Sequence, residues 1–178
     1  MHHPCADVAD ALDETRDQYL CLDVSQWSIR AGKRSAFSGA ARTVRCVEDN
    51  SFVKRAILKE PVGDPEPKVL VVDGGGSRKC ALVGDKVASM AIERGFVGIV
   101  VYGCVRDVDV IDALDVGVLA LGACPVRSVK KQVGEENVAL TLAESRNIFP
   151  GDFVFVDRDG MIVCDAEAAS RATRNLQQ

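Results

Sequence analysis

The stretch from Val69 to Val110, VLVVDGGGSRKCALVGDKVASMAIERGFVGIVVYGCVRDVDV, constrains the fold more than any other part of the chain. An apolar run, Val69–Val72, ends in Asp73-Gly74-Gly75-Gly76, the pattern of a buried strand running into a sharp loop. Gly84-Asp85 then opens a helical pattern with Val87, Ala88, Ala91 and Ile92 on one face. Arg94-Gly95 ends it, glycine being the preferred residue just past a helix. Phe96–Tyr102 reads as a second buried strand, which ends in Gly103-Cys104-Val105-Arg106-Asp107. The unit is strand, loop, helix, strand, loop. It brings a helix N-terminus and an Arg-Asp pair to strand ends, where ligand sites of α/β proteins are built.

The flanking chain supplies further strands and helices in irregular alternation. Ala6–Gln18 has the charge and apolar pattern of an amphipathic helix, and Tyr19–Ile29 reads as irregular. Trp27, the one tryptophan, is read as packing filler. Phe37–Val47 is a strand with β-branched residues, and Glu48-Asp49-Asn50 caps a short helix over Ser51–Lys59. Pro61–Pro67 is a surface loop. Ile111–Asp115 forms a helical turn and Val116–Leu121 a strand. Val138–Leu142, Phe153–Asp157 and Met161–Cys164 are three more strands, the last two a hairpin whose Asp159-Gly160 supplies a positive φ. Asp165 caps a final helix. This pattern gives α/β or α+β with a mixed sheet, one domain over residues 1–178, its core at 6–165 and a C-terminal helix and tail at 166–178.

Composition excludes several function classes. A net charge of −4 argues against a general nucleic-acid binder, which needs a basic footprint to displace phosphate counterions. No stretch reaches the length of a membrane span, and the polar N-terminus lacks the apolar core of a signal peptide. The expectation is a soluble cytoplasmic protein. Its seven cysteines, without a C-x-x-C pair, read as small buried hydrophobes in a reducing compartment. The only two histidines, His2 and His3, follow Met1 on an end expected to be mobile. Ser–His–Asp and Cys–His mechanisms and a histidine metal site are thereby disfavoured, leaving carboxylates, Arg, Lys, backbone amides and an oxygen-liganded metal.

Two places invite chemistry. Gly84-Asp85-Lys86-Val87 is either an ordinary helix start capped by Asp85 or a cradle of free N–H groups for a substrate carboxylate. Arg106-Asp107 is either a surface ion pair or a working pair. In the second case guanidinium grips a carboxylate and an adjacent ketone oxygen, and the aspartate holds Mg²⁺ or Mn²⁺. Arg127, Lys130 and Lys131 read as a solvated loop, since no Gly-rich cradle accompanies them. A Schiff base on Lys86 carries little weight, as its position has the look of a variable surface one.

Asp85, twenty intervening residues and then Arg106-Asp107 resembles the signature of the class II 4-hydroxy-4-methyl-2-oxoglutarate aldolases. The chain is closer still to their short relatives, the regulator of ribonuclease activity A proteins. The match runs through Thr43–Asn50, VLVVDGGG, Gly84-Asp85, Val105–Asp109, Pro150–Asp152 and Val156–Gly160, covering the chain from Asp7 to Asp165. The resemblance implies a three-layer β/β/α swivelling-type domain and a ring-shaped homotrimer. It also implies pyruvate-like substrates bound at Gly84–Val87 and Arg106, Asp107 as metal ligand, and Asp85 positioning or activating a water. The implied reaction is divalent-metal-dependent retro-aldol cleavage of a 2-oxo-4-hydroxy acid or decarboxylation of oxaloacetate, with pyruvate enolate stabilised as charge builds.

Some positions depart from that pattern. The longer aldolases take an acidic ligand from the C-terminal region of a neighbouring subunit, and no residue here matches it. An acidic position three residues after the Arg-Asp pair is Val110, with Asp109 and Asp112 nearby, and Glu144-Ser145 stands where relatives have Gly-Gly. The alternative implied by the same resemblance is a ribonuclease-binding regulator, an acidic protein masking basic RNA-binding segments of its partner. A methyltransferase label also used in the family would rest on Asp73–Gly76. That loop lacks the G-x-G-x-x-G spacing and is rejected as a methyl-donor site.

Overall fold

Three continuous apolar runs become the central strands because helices or a second sheet layer cover both of their faces. The computed structural model describes residues 3–12, 19–143 and 147–176. Helix α1 (Cys5–Ala11) leads into β1 (Tyr19–Leu22), β2 (Ile29–Ala31), β3 (Phe37–Arg45) and α2 (Ser51–Lys59). Then come β4 (Lys68–Asp73), β5 (Ala81–Val83), α3 (Asp85–Glu93), β6 (Phe96–Val105), α4 (Val108–Ile111) and β7 (Gly117–Ala123). The chain ends with β8 (Glu135–Glu136), β9 (Phe153–Val156), β10 (Met161–Cys164) and α5 (Ala166–Asn175).

The sheet order is β1-β10-β9-β3-β4-β6-β7-β2, with β5 added beside β6 and β8 beside β3. β3, β4, β6 and β7 run parallel, while β1, β10, β9 and β2 are antiparallel to their neighbours. One face of the parallel part packs on α2, α3 and α4 through residues such as Val53, Ile57, Leu70, Ala88, Ile99 and Ile111. Its other face packs on β9, β10 and β1, so Val71, Val100 and Leu119 share a core with Val154, Met161 and Leu22. The sheet therefore curls over itself. The result is a mixed α/β single domain with a mixed sheet, and α1 and α5 cover the outer side of β9 and β10 through Val8, Leu12, Phe155, Ile162 and Ala172.

Phe37 fills the curl. Its ring lies over Gly98 and Gly117, which pair across β6 and β7, and a β-carbon at either would stand 1.9 or 2.1 Å from it. At the N-terminal end of β4, Lys68 is 1% exposed and its ammonium lies 2.8 Å from Asp64. Five cysteines are buried, Cys124 is half-buried and Cys21 exposed. Burial pushes the thiols of Cys5, Cys46 and Cys164 up to about 12, which suits small inert hydrophobes.

Several expectations are corrected. Tyr19–Leu22 is a strand held by β10, inside the stretch expected to be irregular. Val138–Leu142 is not a strand; Leu140 and Ile148 exchange one pair of backbone hydrogen bonds instead. The β9–β10 turn needs no positive φ, because Oδ1 of Asp157 accepts the N–H groups of Asp159 and Gly160. The helical turn starts at Val108, three residues early, since the Asp107 carbonyl already accepts from Val110 and Ile111. His3 is buried, and two residues on the Cys5 N–H ties this end of the chain to Asp157 at 2.7 Å. The first helix ends at Ala11, and the rest of the expected span, 13–18, lies outside the described residues, as does Glu144-Ser145. Asp165 does cap α5, accepting from Ala168 N–H at 2.7 Å.

Candidate active site

Strand β5 is three residues long, and each residue suspends a different wall of one cavity. Ala81 donates its N–H to the Val126 carbonyl at 2.8 Å and forms a bridge to Arg127. The Leu82 carbonyl accepts Nδ2 of Asn50, the residue that starts α2, at 3.1 Å. The Val83 carbonyl accepts the N–H of Arg106 at 3.0 Å. The cavity of about 280 Å³ is thus bounded by the start of α2, the start of α3, the end of β6 and the loop after β7.

At the α3 wall, Gly84 is the cap, in extended backbone, and Asp85 is the first helical residue, which corrects the expected capping role of Asp85. The Gly84 carbonyl accepts from both Val87 and Ala88 at 3.0 Å. The N–H groups of Asp85 and Lys86 lie in the first turn, where a helix has no carbonyl of its own to offer. Val87 lines the cavity, but its side chain is buried in the core and its N–H is already engaged.

Arg106 lines the same cavity, its Nε 3.2 Å from Oδ2 of Asp107, with side chains 38% and 34% exposed. Asp107 stands at the edge, outside the lining. Its backbone is left-handed (φ 58°), a conformation aspartate tolerates better than most residues. A β-carbon on Gly84 would come within 2.6 Å of Asp107 Oδ2 and 3.2 Å of Arg106 Cγ, so glycine makes room for this pair. The structure therefore brings Gly84, Asp85, Lys86, Val87 and Arg106 together and sets Asp107 beside them.

For a divalent ion the donor set is sparse. No group of three or more His, Cys, Asp or Glu suited to a metal occurs among the described residues. Asp112 is already committed, accepting the Gly32 N–H at 2.9 Å. A single exposed carboxylate does not suit Zn²⁺, which wants four protein or near-protein ligands, but it fits a Mg²⁺-like ion that keeps several waters and takes substrate oxygens.

Sequence reading missed part of the lining: Asn50 and Lys54 from α2, and Arg127, Ser128 and Lys130 from a loop read as merely solvated. Oδ1 of Asn50 is buried without a hydrogen-bond partner among the described residues. That loop is stapled by Asp49, whose carboxylate accepts from Ser51 at 2.8 Å and from Lys131 at 2.5 Å. Burial pushes Asp49 up, yet these hydrogen bonds outweigh it and hold the carboxyl below its usual range. The Asp73–Gly76 loop is no anion cradle. Gly74 and Gly76 both donate to the Tyr102 carbonyl, and Gly75 donates to Asp73 Oδ1.

A family model described as Aldolase/RraA, RraA-like, matches residues 5–163. A protein of Pseudomonas aeruginosa (strain LESB58) named "Putative 4-hydroxy-4-methyl-2-oxoglutarate aldolase" is 44% identical, over 92% of this chain and 94% of its own. One of the same name from Aromatoleum aromaticum is 40% identical, over 93% and 98%. The structure of the RNA-processing inhibitor RraA from Thermus thermophilis superposes with a TM-score of 0.81 at 35% identity, covering 92% of this chain and 93% of that one. A Geobacillus kaustophilus structure described as an S-adenosylmethionine:2-dimethylmenaquinone methyltransferase gives 0.77 at 40% identity, covering 88% and 93%. With a family match spanning residues 5–163 and relatives 40–44% identical over more than nine-tenths of the chain, the chain belongs to the RraA-like family.

Proposed function

We propose that this chain is a cytoplasmic, divalent-metal-dependent lyase that forms pyruvate from 4-hydroxy-4-methyl-2-oxoglutarate or oxaloacetate. The observation that carries the reading is Arg106, fixed by Val83 at the mouth of a cavity that also holds the α3 N-terminus, with Asp107 ion-paired 3.2 Å away. The aldolase names of relatives at 40–44% identity support it.

In this reading the substrate's C1 carboxylate lies against the first-turn N–H groups of α3, and Arg106 donates to that carboxylate and to the 2-oxo oxygen. Cleavage of the C3–C4 bond sends its electron pair toward that oxygen, and Arg106 stabilises the enolate charge as it forms. In aldol cleavage the proton of the 4-hydroxyl leaves at the same time, and Asp85 accepts it through a water. Asp107 would hold a hydrated Mg²⁺ or Mn²⁺, which when bound would supply Lewis-acid polarisation of the 2-oxo group. Protonation of the enolate carbon then gives pyruvate.

The test is pyruvate formation from either substrate with Mg²⁺ present. Arg106→Ala should lower the rate by roughly a hundredfold or more while leaving the fold intact. The same preparation should sediment as a homotrimer, the assembly that the resemblance implies. A second reading, a ribonuclease-binding regulator, draws on the likeness to the RNA-processing inhibitor of Thermus thermophilis. A wild-type protein that makes no pyruvate above the metal-only background, yet binds and inhibits a ribonuclease, would replace the first reading with the second.

A further inference from the structure

Most cations that this fold places near a carboxylate are neutralised. Arg34 pairs with Asp115, Arg42 with Glu60, Arg55 and Lys59 with Glu136, Lys68 with Asp64, and Lys79 with Glu48. The active-site cavity is where cations without such partners gather. Lys54, Lys86, Arg106, Arg127 and Lys130 line it, against one lining carboxylate, Asp85. Of these cations only Arg106 has an ion-pair partner among the described residues. In a chain of net charge −4, such a cluster is a local field of the opposite sign, self-repelling until an anion enters. One 2-oxo carboxylate, already served by Arg106 and α3, leaves the rest of that field unanswered.

Position narrows the answer. Arg127 is bridged to Ala81 and the Arg106 N–H is bonded to Val83, so the two backbone anchors lie two residues apart along β5, about 7 Å. Lys54 follows one turn after Asn50, which is bonded to Leu82 between those anchors. A ligand lying along β5 with one end at Arg106 therefore runs past Leu82, where α2 brings in Lys54, toward Arg127, and both of these side chains line the cavity.

We infer that Lys54 and Arg127 bind the distal carboxylate of a 2-oxo dicarboxylate and set the balance between aldol cleavage and decarboxylation. This rests on the lyase reading above. The two reactions break the same C3–C4 bond but treat the distal carboxylate differently. In aldol cleavage the 4-hydroxyl proton leaves, C4 becomes the ketone of a second pyruvate, and the distal carboxylate keeps its charge throughout. In oxaloacetate decarboxylation that carboxylate itself departs as neutral CO₂, its electrons passing into the enolate. A cationic wall stabilises ground and transition states alike in the first reaction. In the second it favours the ground state and opposes the loss of charge.

Steady-state kinetics of Lys54→Met, Arg127→Met and the double variant, each with both substrates and Mg²⁺, test this. Methionine keeps the apolar stem and removes the charge. For 4-hydroxy-4-methyl-2-oxoglutarate, kcat/KM should fall by roughly tenfold to a hundredfold per charge, chiefly through KM. For oxaloacetate KM should rise while kcat holds or increases, so the ratio of the two activities shifts toward decarboxylation. Equal loss of kcat on both substrates, or no change on either, overturns the inference and leaves the lyase reading standing. No pyruvate from either substrate with wild-type protein overturns the lyase reading and this inference with it. Arg127 is exposed, so its single variant keeps the test open if the double variant misfolds.

Discussion

At the scale of single residues, Gly84 is the most exposed to a small change. An added methyl would meet the carboxylate of Asp107, which is free to swing, so Gly84→Ala should fold normally yet displace the Arg106–Asp107 pair. A shift of about 1 Å there predicts a loss of tenfold to a hundredfold in pyruvate formation, with little change in denaturation midpoint. Asp107→Asn tolerates the same left-handed backbone and should keep the fold, while Mn²⁺ titration should show binding lost. Retained Mn²⁺ affinity would remove Asp107 from the proposed metal role. The Arg106–Asp107 pair was singled out in the sequence by the family resemblance; the residues alone fitted a surface ion pair as well, and β6 runs on to Val105, three residues past the end that local pattern gave it. Asn50 and Lys54 were not read as site residues. They reach the cavity through a hydrogen bond to Leu82, thirty-two residues from Asn50, and no local spacing records it.

Among elements, β4, β6 and β7 were readable because strands covered on both faces are apolar without interruption. Strand β5 was not, since three residues between a glycine loop and a helix cap are too few to show a period. Strand β1 escaped for another reason: its pairing with β10 joins residues more than a hundred apart. The Gly98–Gly117 pair shows how closely β6 and β7 depend on β3. Gly98→Ala would drive a methyl into the Phe37 ring, and chemical denaturation should show a loss of about 2–3 kcal/mol or more. Phe37→Leu in the same background, by thinning the side chain, should recover part of it.

For the whole molecule, the curl of the sheet and its second core depend on non-local pairings such as Phe37 with Val156, which composition does not announce. The residues alone gave α/β or α+β with a mixed sheet; the layering came from the family resemblance. Closure at the N-terminal side runs through Asp157, whose carboxylate accepts from Cys5, Asp159 and Gly160. Burial raises its pKa, but these donors prevail and hold it below the usual carboxylate range. A folded pKa below the unfolded one contributes stability that is complete above the unfolded value and is lost as pH falls through the folded value. Asp49 has the same sign. Acid titration should therefore show stability declining below about pH 4, and Asp157→Asn should be less stable at pH 7 by roughly 1–3 kcal/mol with a flatter acid limb.

Strand β5 has one more consequence. It pairs with the sheet along one edge only, through β6, and three cavity walls are attached to it in succession. Detaching β5 releases all three walls at once, without breaking the β3–β4–β6–β7 ladder. The amide protons of Ala81 and Arg106 should then exchange with deuterium at one shared opening free energy, below that of Val71 or Val100 in the central strands. A ligand spanning the walls would slow both together, so their common protection reports occupancy of the cavity before any product is formed.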